Sequence, residues 1–254
     1  MTFYELKEFL DLKAEHYQSQ EFITADPIQI PHRFSRKEDI EIAGFLIATI
    51  AWGNRTSIIK NSNKMMQLMD DSPYDFIKNH SSEDLKVFNG FVHRTFNDSD
   101  LKYFIISLKN IYENKGGLEK CIANHASKMD IQTALHYFKK DFFELPHSQR
   151  TQKHVADPIK GSAAKRINMY LRWMVRSNKN GVDFGIWKSI HTRNLSCPLD
   201  VHSGTIARKL GILKRTQNDA KAVVELDTQL RIMDPEDPVK YDFALFGLGA
   251  FEKF

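Results

Sequence analysis

Two short stretches carry the residue types that could do chemistry. In Pro158-Ile-Lys-Gly161-Ser-Ala-Ala-Lys165-Arg166 a glycine turn runs straight into a helical pattern. The free backbone N–H groups and the dipole at such a helix start favour an anion, and Lys160, Ser162 and Arg166 would surround a phosphate there. Along the helix Lys165, Asn168, Arg172 and Arg176 follow at steps of three, four and four and share one face, while Ile167, Tyr170, Leu171 and Met174 line another. Lys165 therefore looks away from the core at the first turn, and a solvated basic face is the plain reading of that row.

The second stretch is Cys197-Pro-Leu-Asp200-Val-His202, which opens an amphipathic run ending at Gly211. Asp200 is predicted to be the N-cap of that helix. Asp200 and His202 have no identifiable third ligand, so no metal site is expected. Cys121 and Cys197 lie far apart in metal-free spacing and suggest neither a disulfide framework nor a zinc or iron–sulfur cage.

The elements that must position these residues read as helices almost throughout. Pro and Gly are sparse and apolar residues recur at spacings of three and four. A first helix is predicted over residues 2–19. The two prolines of Asp26-Pro-Ile-Gln-Ile-Pro-His-Arg-Phe34 then exclude a regular helix. Ser35 and Glu38 have capping-box spacing and open a helix whose part from Ile40 to Trp52 is apolar almost all round, which places it in the middle of the protein. It ends at Trp52-Gly53-Asn54-Arg55, where Gly and Asn tolerate the left-handed conformation and Thr56 or Ser57 can cap the next helix. Further helices are expected over 56–69, 73–79, 82–88, 98–113, 118–126 and 131–143. No repeat or low-complexity linker divides the chain, so a single all-α domain is expected over residues 1–254.

Composition narrows the classes of function. The chain of 254 residues is 42% apolar with 18 Phe, enough for a substantial core. It contains no run of 18 or more apolar residues, and its charged, helix-patterned start is unlike a signal peptide, so a cytoplasmic protein without membrane contact is expected. The net charge of +4 is segregated. Eight basic residues face Asp157 alone between Arg150 and Lys179, a local +7, whereas the stretch from Asp219 to Asp242 carries −4. One basic face for phosphates and an ordinary solvated face both account for the count.

Together these motifs resemble the helix-hairpin-helix DNA glycosylases. Gly161-Ser-Ala-Ala-Lys165 is similar to that family's glycine-rich hairpin followed by its catalytic lysine, and Pro198-Leu-Asp200-Val-His202 with Ile206-Ala-Arg-Lys-Leu-Gly211 to its Pro-Val-Asp-x-His stretch and following helix. Ala51-Trp-Gly-Asn54-Arg55 resembles the end of the family's early helix. Phe91-Val-His-Arg-Thr-Phe96, Leu171-Arg-Trp-Met-Val-Arg176 and Tyr241-Asp-Phe-Ala-Leu-Phe-Gly-Leu-Gly249 look like an uncharacterised bacterial family of that superfamily. Three features depart from the pattern. Ala163 replaces the second hairpin glycine, the 35-residue interval from Lys165 to Asp200 is long and nearer the archaeal 8-oxoguanine glycosylase branch, and the four-cysteine cluster of endonuclease III-like members is missing.

The resemblance implies a two-lobed fold, with lobes at approximately 37–186 and 1–36 plus 187–254. It implies a monomer on duplex DNA, nucleoid-associated, with no cofactor and no iron–sulfur cluster. Lys165 and Asp200 become the catalytic pair of a base-excising enzyme, with a lysine-dependent β-lyase step as an option. Lys160, Gly161, Ser162, Ala163, Arg166 and His202 hold DNA, and Asn54 and Arg55 act as wedges beside the extruded base. Trp52, Phe184 and Trp187 either stack on that base or fill the core, the latter being the commoner role of large aromatics. His93 and Arg94 form either a buried hydrogen-bonded network or a lesion contact. A non-catalytic DNA-binding protein on the same fold and an RNA-binding module are the rival readings.

Overall fold

The structure, a computed structural model, describes residues 1–252 and 254. It is all-α apart from one two-residue hairpin, β1 (Val92–His93) paired antiparallel with β2 (Phe96–Asn97). The helices are α1 (Phe3–Tyr17), α2 (Gln20–Ala25), α3 (Lys37–Ile50), α4 (Arg55–Gln67), α5 (Pro73–Asn79), α6 (Asp98–Asn114), α7 (Leu118–Ala126), α8 (Ile131–Phe142), α9 (Lys165–Val175), α10 (Val201–Lys209), α11 (Ala220–Met233) and α12 (Tyr241–Gly247). Short 3-10 turns fill several connections, among them Pro27–Gln29, Pro31–Arg33, Asp84–Phe88, Gln149–His154 and Pro158–Lys160.

Side-chain caps account for half of the twelve helix starts among the described residues. Thr2 caps α1 in a full capping box with Glu5, Asn97 does the same for α6 with Asp100, and Asp130 caps α8 through two backbone N–H groups. Two expected starts differ. Arg36, not Ser35, precedes α3, and no side chain caps that helix. The stability of α3 comes instead from tertiary packing, since every residue from Ile40 to Ile50 is buried. At α4 the cap is Asn54, whose Oδ1 accepts from Ser57 N–H at 3.1 Å, so neither Thr56 nor Ser57 caps that helix. Residues 82–88 close into a 3-10 turn rather than an α-helix.

The apolar side chains gather into two clusters. The first is built around α3 and packs α6, α8 and α9 against it, with Ile28, Ile30, Val182 and Trp187 from irregular segments. At Gly44 an added Cβ would stand 3.0 Å from Met174 Cε and 3.2 Å from Tyr170, so glycine here lets α3 and α9 approach closely. The second cluster joins the two ends of the chain, with Leu10 and Ala14 of α1, Ile206 of α10, Leu226 and Leu230 of α11, and Leu245 of α12. Ala163, in the turn ahead of α9, belongs to this second cluster, whereas Ala164 belongs to the first.

Among the described residues no helix is long and apolar enough to cross a membrane. None of them forms a group of three or more His, Cys, Asp or Glu able to hold a metal ion.

Candidate active site

A cavity of about 740 Å³ opens where the two clusters meet. It is lined by the start of α9, the start of α10, the end of α3 with the following turn, the segment before the Pro27 turn, and α12.

The glycine turn sets the position of α9. The chain passes through the 3-10 turn Pro158–Lys160, and Gly161 closes it in the left-handed region at φ +91° with its N–H donating to Pro158 O at 2.9 Å. An added Cβ on Gly161 would meet nothing, so this glycine serves backbone conformation rather than space. Gly161 O accepts from Ala220 N–H at 3.0 Å, which ties the turn to the start of α11. Ala164 then adopts φ +49°, and Ser162 Oγ accepts its N–H at 3.1 Å. No side chain caps α9.

Lys165 is the first residue of that helix, half-buried, and lines the cavity with Nζ 3.5 Å from Met169 Sδ. Asp200 lines it from the other side as the N-cap of α10. Its Oδ1 accepts from Ser203 N–H at 2.9 Å and Ser203 Oγ at 3.1 Å. Thus the two residues singled out for chemistry, 35 positions apart in the chain, border one cavity.

Two further aspartates line the same space, and neither was singled out from the sequence. Asp242 is buried and accepts from Arg172 Nη1. Burial pushes its carboxyl up to about 6 against the pull of the Arg172 guanidinium, and the Asp200 carboxylate adds to the rise. Burial likewise raises Asp26, opposed by the Ile28 N–H and by the charges of Arg172, Arg55 and Lys165. Aromatic rings complete the wall: Phe22, Trp52, Trp173, Phe243 and Phe246. The indole N–H groups of Trp52 and Trp173 are buried and have no partner among the described residues.

The helix face of Lys165, Asn168, Arg172 and Arg176 is not a solvated basic surface. Asn168, Arg172 and Arg176 are buried. Arg172 Nε donates to Asp183 at 3.2 Å and its Nη1 to Asp242, with its guanidinium 4.1 Å from the Phe243 ring. Arg176 bonds Asp237, Asp183 and Gln18. Acids from residues 183–242 turn these arginines inward, so two of the eight positive charges of the segment are neutralised inside the protein.

The remaining expectations divide. Ser162, Ala163, Arg166, Arg55, His202 and Trp52 line the cavity with the catalytic candidates. Arg166 also donates to the Thr49 carbonyl, and burial lowers its pKa to about 10. Lys160 and Gly161 stand exposed on the turn outside the cavity wall. The Asn54 side chain is engaged as the α4 cap, which leaves Arg55, 5.8 Å from the Phe246 ring, as the residue of that wedge pair on the cavity.

His93 and Arg94 sit behind the wall rather than in it. His93 is buried, donates from Nε2 to Trp52 O at 3.2 Å and therefore accepts at Nδ1 from Asn61 at 2.9 Å; burial lowers its pKa. The Arg94 guanidinium lies 4.6 Å from the Trp52 ring, and the residue holds φ +56° at the hairpin tip. Phe184 and Trp187 belong to the first cluster, away from the cavity. Trp187 donates its indole N–H to Glu41 at 2.7 Å, and Phe184 packs on His32.

Fold and site together define an all-α protein with a ligand-sized, aromatic-walled cleft that gathers one lysine amine and three carboxylates. The chain belongs to the family described as protein of unknown function (DUF2400), whose model matches residues 26–251. No curated protein and no solved structure matches it.

Proposed function

We propose that this protein is a DNA glycosylase of the helix-hairpin-helix type, which excises a damaged base from duplex DNA with Lys165 and Asp200 as its reacting pair. The observation that carries the reading is the meeting of Lys165, at an uncapped helix start, with Asp200 and aromatic side chains around one cavity of about 740 Å³. A base must leave the stack before its glycosidic carbon can be reached, and an aromatic-walled cleft is what an extruded base requires.

In this reading departure of the base leaves positive charge on C1′, which the Asp200 carboxylate stabilises electrostatically. The Lys165 amine forms a bond to C1′ as the bond to the base breaks, the base leaving with the electron pair. Loss of a proton from nitrogen and opening of the sugar ring give a Schiff base. β-elimination from it would cut the strand. The exposed turn at Lys160 and Gly161 supplies the Lys160 cation for a backbone phosphate, its own N–H groups being held by the carbonyls of Asp157 and Pro158. Such an enzyme works on the nucleoid, as a monomer, in the cytoplasm.

Borohydride trapping tests this. Purified protein is incubated on duplexes carrying 8-oxoguanine, oxidised pyrimidines, uracil or an abasic site, with Lys165→Gln and Asp200→Asn alongside. A covalent adduct lost in Lys165→Gln is the expected result. If no adduct forms and no base is released on any duplex, lysine catalysis is wrong for these substrates. A non-catalytic DNA-binding protein, favoured by Ala163 at the hairpin position, then takes its place.

A further inference from the structure

The three aspartates of the cavity are not equivalent. Asp200 is engaged by the start of α10 and Asp242 by Arg172. Asp26 is held at one oxygen only: Oδ1 accepts from Ile28 N–H at 3.0 Å at the start of the 3-10 turn Pro27–Gln29, in which Pro27 fixes the backbone. Its second oxygen has no hydrogen-bond partner, and no Lys or Arg forms an ion pair with it among the described residues. The cations that act on it, Arg172, Arg55 and Lys165, do so through space.

Capping the Pro27 turn does not require this arrangement. Asn or Ser would cap equally well without placing a third carboxylate in the cleft beside Asp200 and Asp242, where like charges oppose one another. The free oxygen lines the cavity and is open to a ligand that brings donors. The same segment supplies a stacking surface: Phe22, four residues earlier, lines the cavity and meets Phe243 edge-on with ring centroids 5.3 Å apart.

Base edges differ in what they offer a carboxylate. A 2-amino-6-oxopurine presents adjacent ring N–H and NH2 groups, both donors. Hypoxanthine keeps only the ring N–H. Uracil and thymine place their single N–H between two carbonyls, whose lone pairs repel a carboxylate oxygen. We propose that Asp26 is the specificity-determining residue of the cleft, accepting from the ring N–H and 2-amino group of a guanine-type base stacked beside Phe22. The proposal rests on the reading that the cleft receives a base.

The test separates the two. Deoxyguanosine, deoxyinosine and deoxyuridine are titrated against the whole protein while tryptophan fluorescence is followed, Trp52 and Trp173 being in the cavity wall. The comparison is repeated with Asp26→Asn and Asp26→Ser, both of which keep a capping side chain. Deoxyguanosine should bind roughly 10-fold or more tightly than the other two, a ratio of the size that a charge-assisted pair of hydrogen bonds supports. In both variants that ratio should collapse to within about 2-fold, the residue of discrimination left by ring size alone.

Equal binding of the three nucleosides by the wild-type protein, or an unchanged ratio in the variants, overturns the assignment. Trapping on an abasic duplex, which contains no base to select, reports on lysine catalysis independently. Adduct without nucleoside preference sinks the role of Asp26 alone. Asp26-dependent preference without adduct upholds it and sinks the catalytic reading.

Discussion

Replacing Arg172 by Met should destabilise the protein through one carboxylate. Arg172 is buried and holds two acids, Asp183 at 3.2 Å and Asp242. Asp183 keeps Arg176 at 3.1 Å when Arg172 is removed, whereas Asp242 keeps no cation in bonding contact. Orphaning one partner of a buried ion pair costs about 3–5 kcal/mol, and the lost packing on Phe243 adds to it. For a chain of this size that is a fall in Tm of roughly 6–20 °C.

The loss should depend on pH in a definite sense. Asp242 already titrates at about 6, raised by burial, and losing the guanidinium raises it further. Below about pH 4 the carboxyl is protonated in both folded and unfolded chains and carries no charge penalty. Between about pH 4 and 6 the unfolded chain ionises first in wild type and variant alike, so the deficit opens as pH rises past about 6, where the wild-type carboxyl ionises beside Arg172, and is larger at pH 8 than at pH 5. Urea unfolding of Arg172→Met at both values measures it, and Arg172→Met with Asp242→Leu should recover most of the loss. A deficit below about 1 kcal/mol at pH 8, where an orphaned buried charge predicts several, would refute the reasoning. So would one that is identical at the two pH values.

Gly247→Ala should be destabilising by about 1–3 kcal/mol although alanine is the better helix former, because overpacking outweighs propensity. The added Cβ would stand 2.1 Å from the Tyr17 ring and force α1 away from α12; an unchanged or higher Tm in calorimetry would show that the helices part freely. Asp227 is buried and raised to about 6 by burial, against the pull of Ser196 and the Cys197 N–H. Its raised folded pKa means that ionisation favours the unfolded chain between about pH 4 and 6, a cost approaching 3 kcal/mol. Asp227→Asn keeps an acceptor for Cys197 N–H and should gain on the wild type as pH rises through that window, being equal near pH 4. Denaturation curves that stay parallel from pH 4 to 7 would contradict this.

Much of the local structure was legible in the sequence. The all-α class followed from spacing and from the scarcity of breakers, the burial of α3 from its uniform apolarity, and the Asp200 cap from its place before an amphipathic run. The glycine turn into α9 was legible too, as was the break at Gly53, which adopts φ +104°. These are decisions made within a few residues, where backbone sterics and hydrogen bonding are local. The Ser35 cap was not realised: α3 begins at Lys37 behind Arg36, and burial from Ile40 to Ile50 holds the helix without a side-chain cap.

Partners distant in sequence were not legible. A row of Lys165, Asn168, Arg172 and Arg176 has the pattern of a solvated face, and only Asp183, Asp237 and Asp242 arriving from other segments make it an interior ion-pair network. Phe184 and Trp187 follow the basic helix closely, yet the fold spends them on the α3 cluster, with Glu41 waiting for the indole 146 residues earlier in the chain. Asp26 lies in a stretch legible only as irregular and Asp242 in a phrase that suggests a family without assigning a role, so neither carries a catalytic motif. Residue type and period fix what each helix can bury, whereas which charges meet, and therefore which carboxylates enter the cleft unpaired, is decided when the two clusters close on each other.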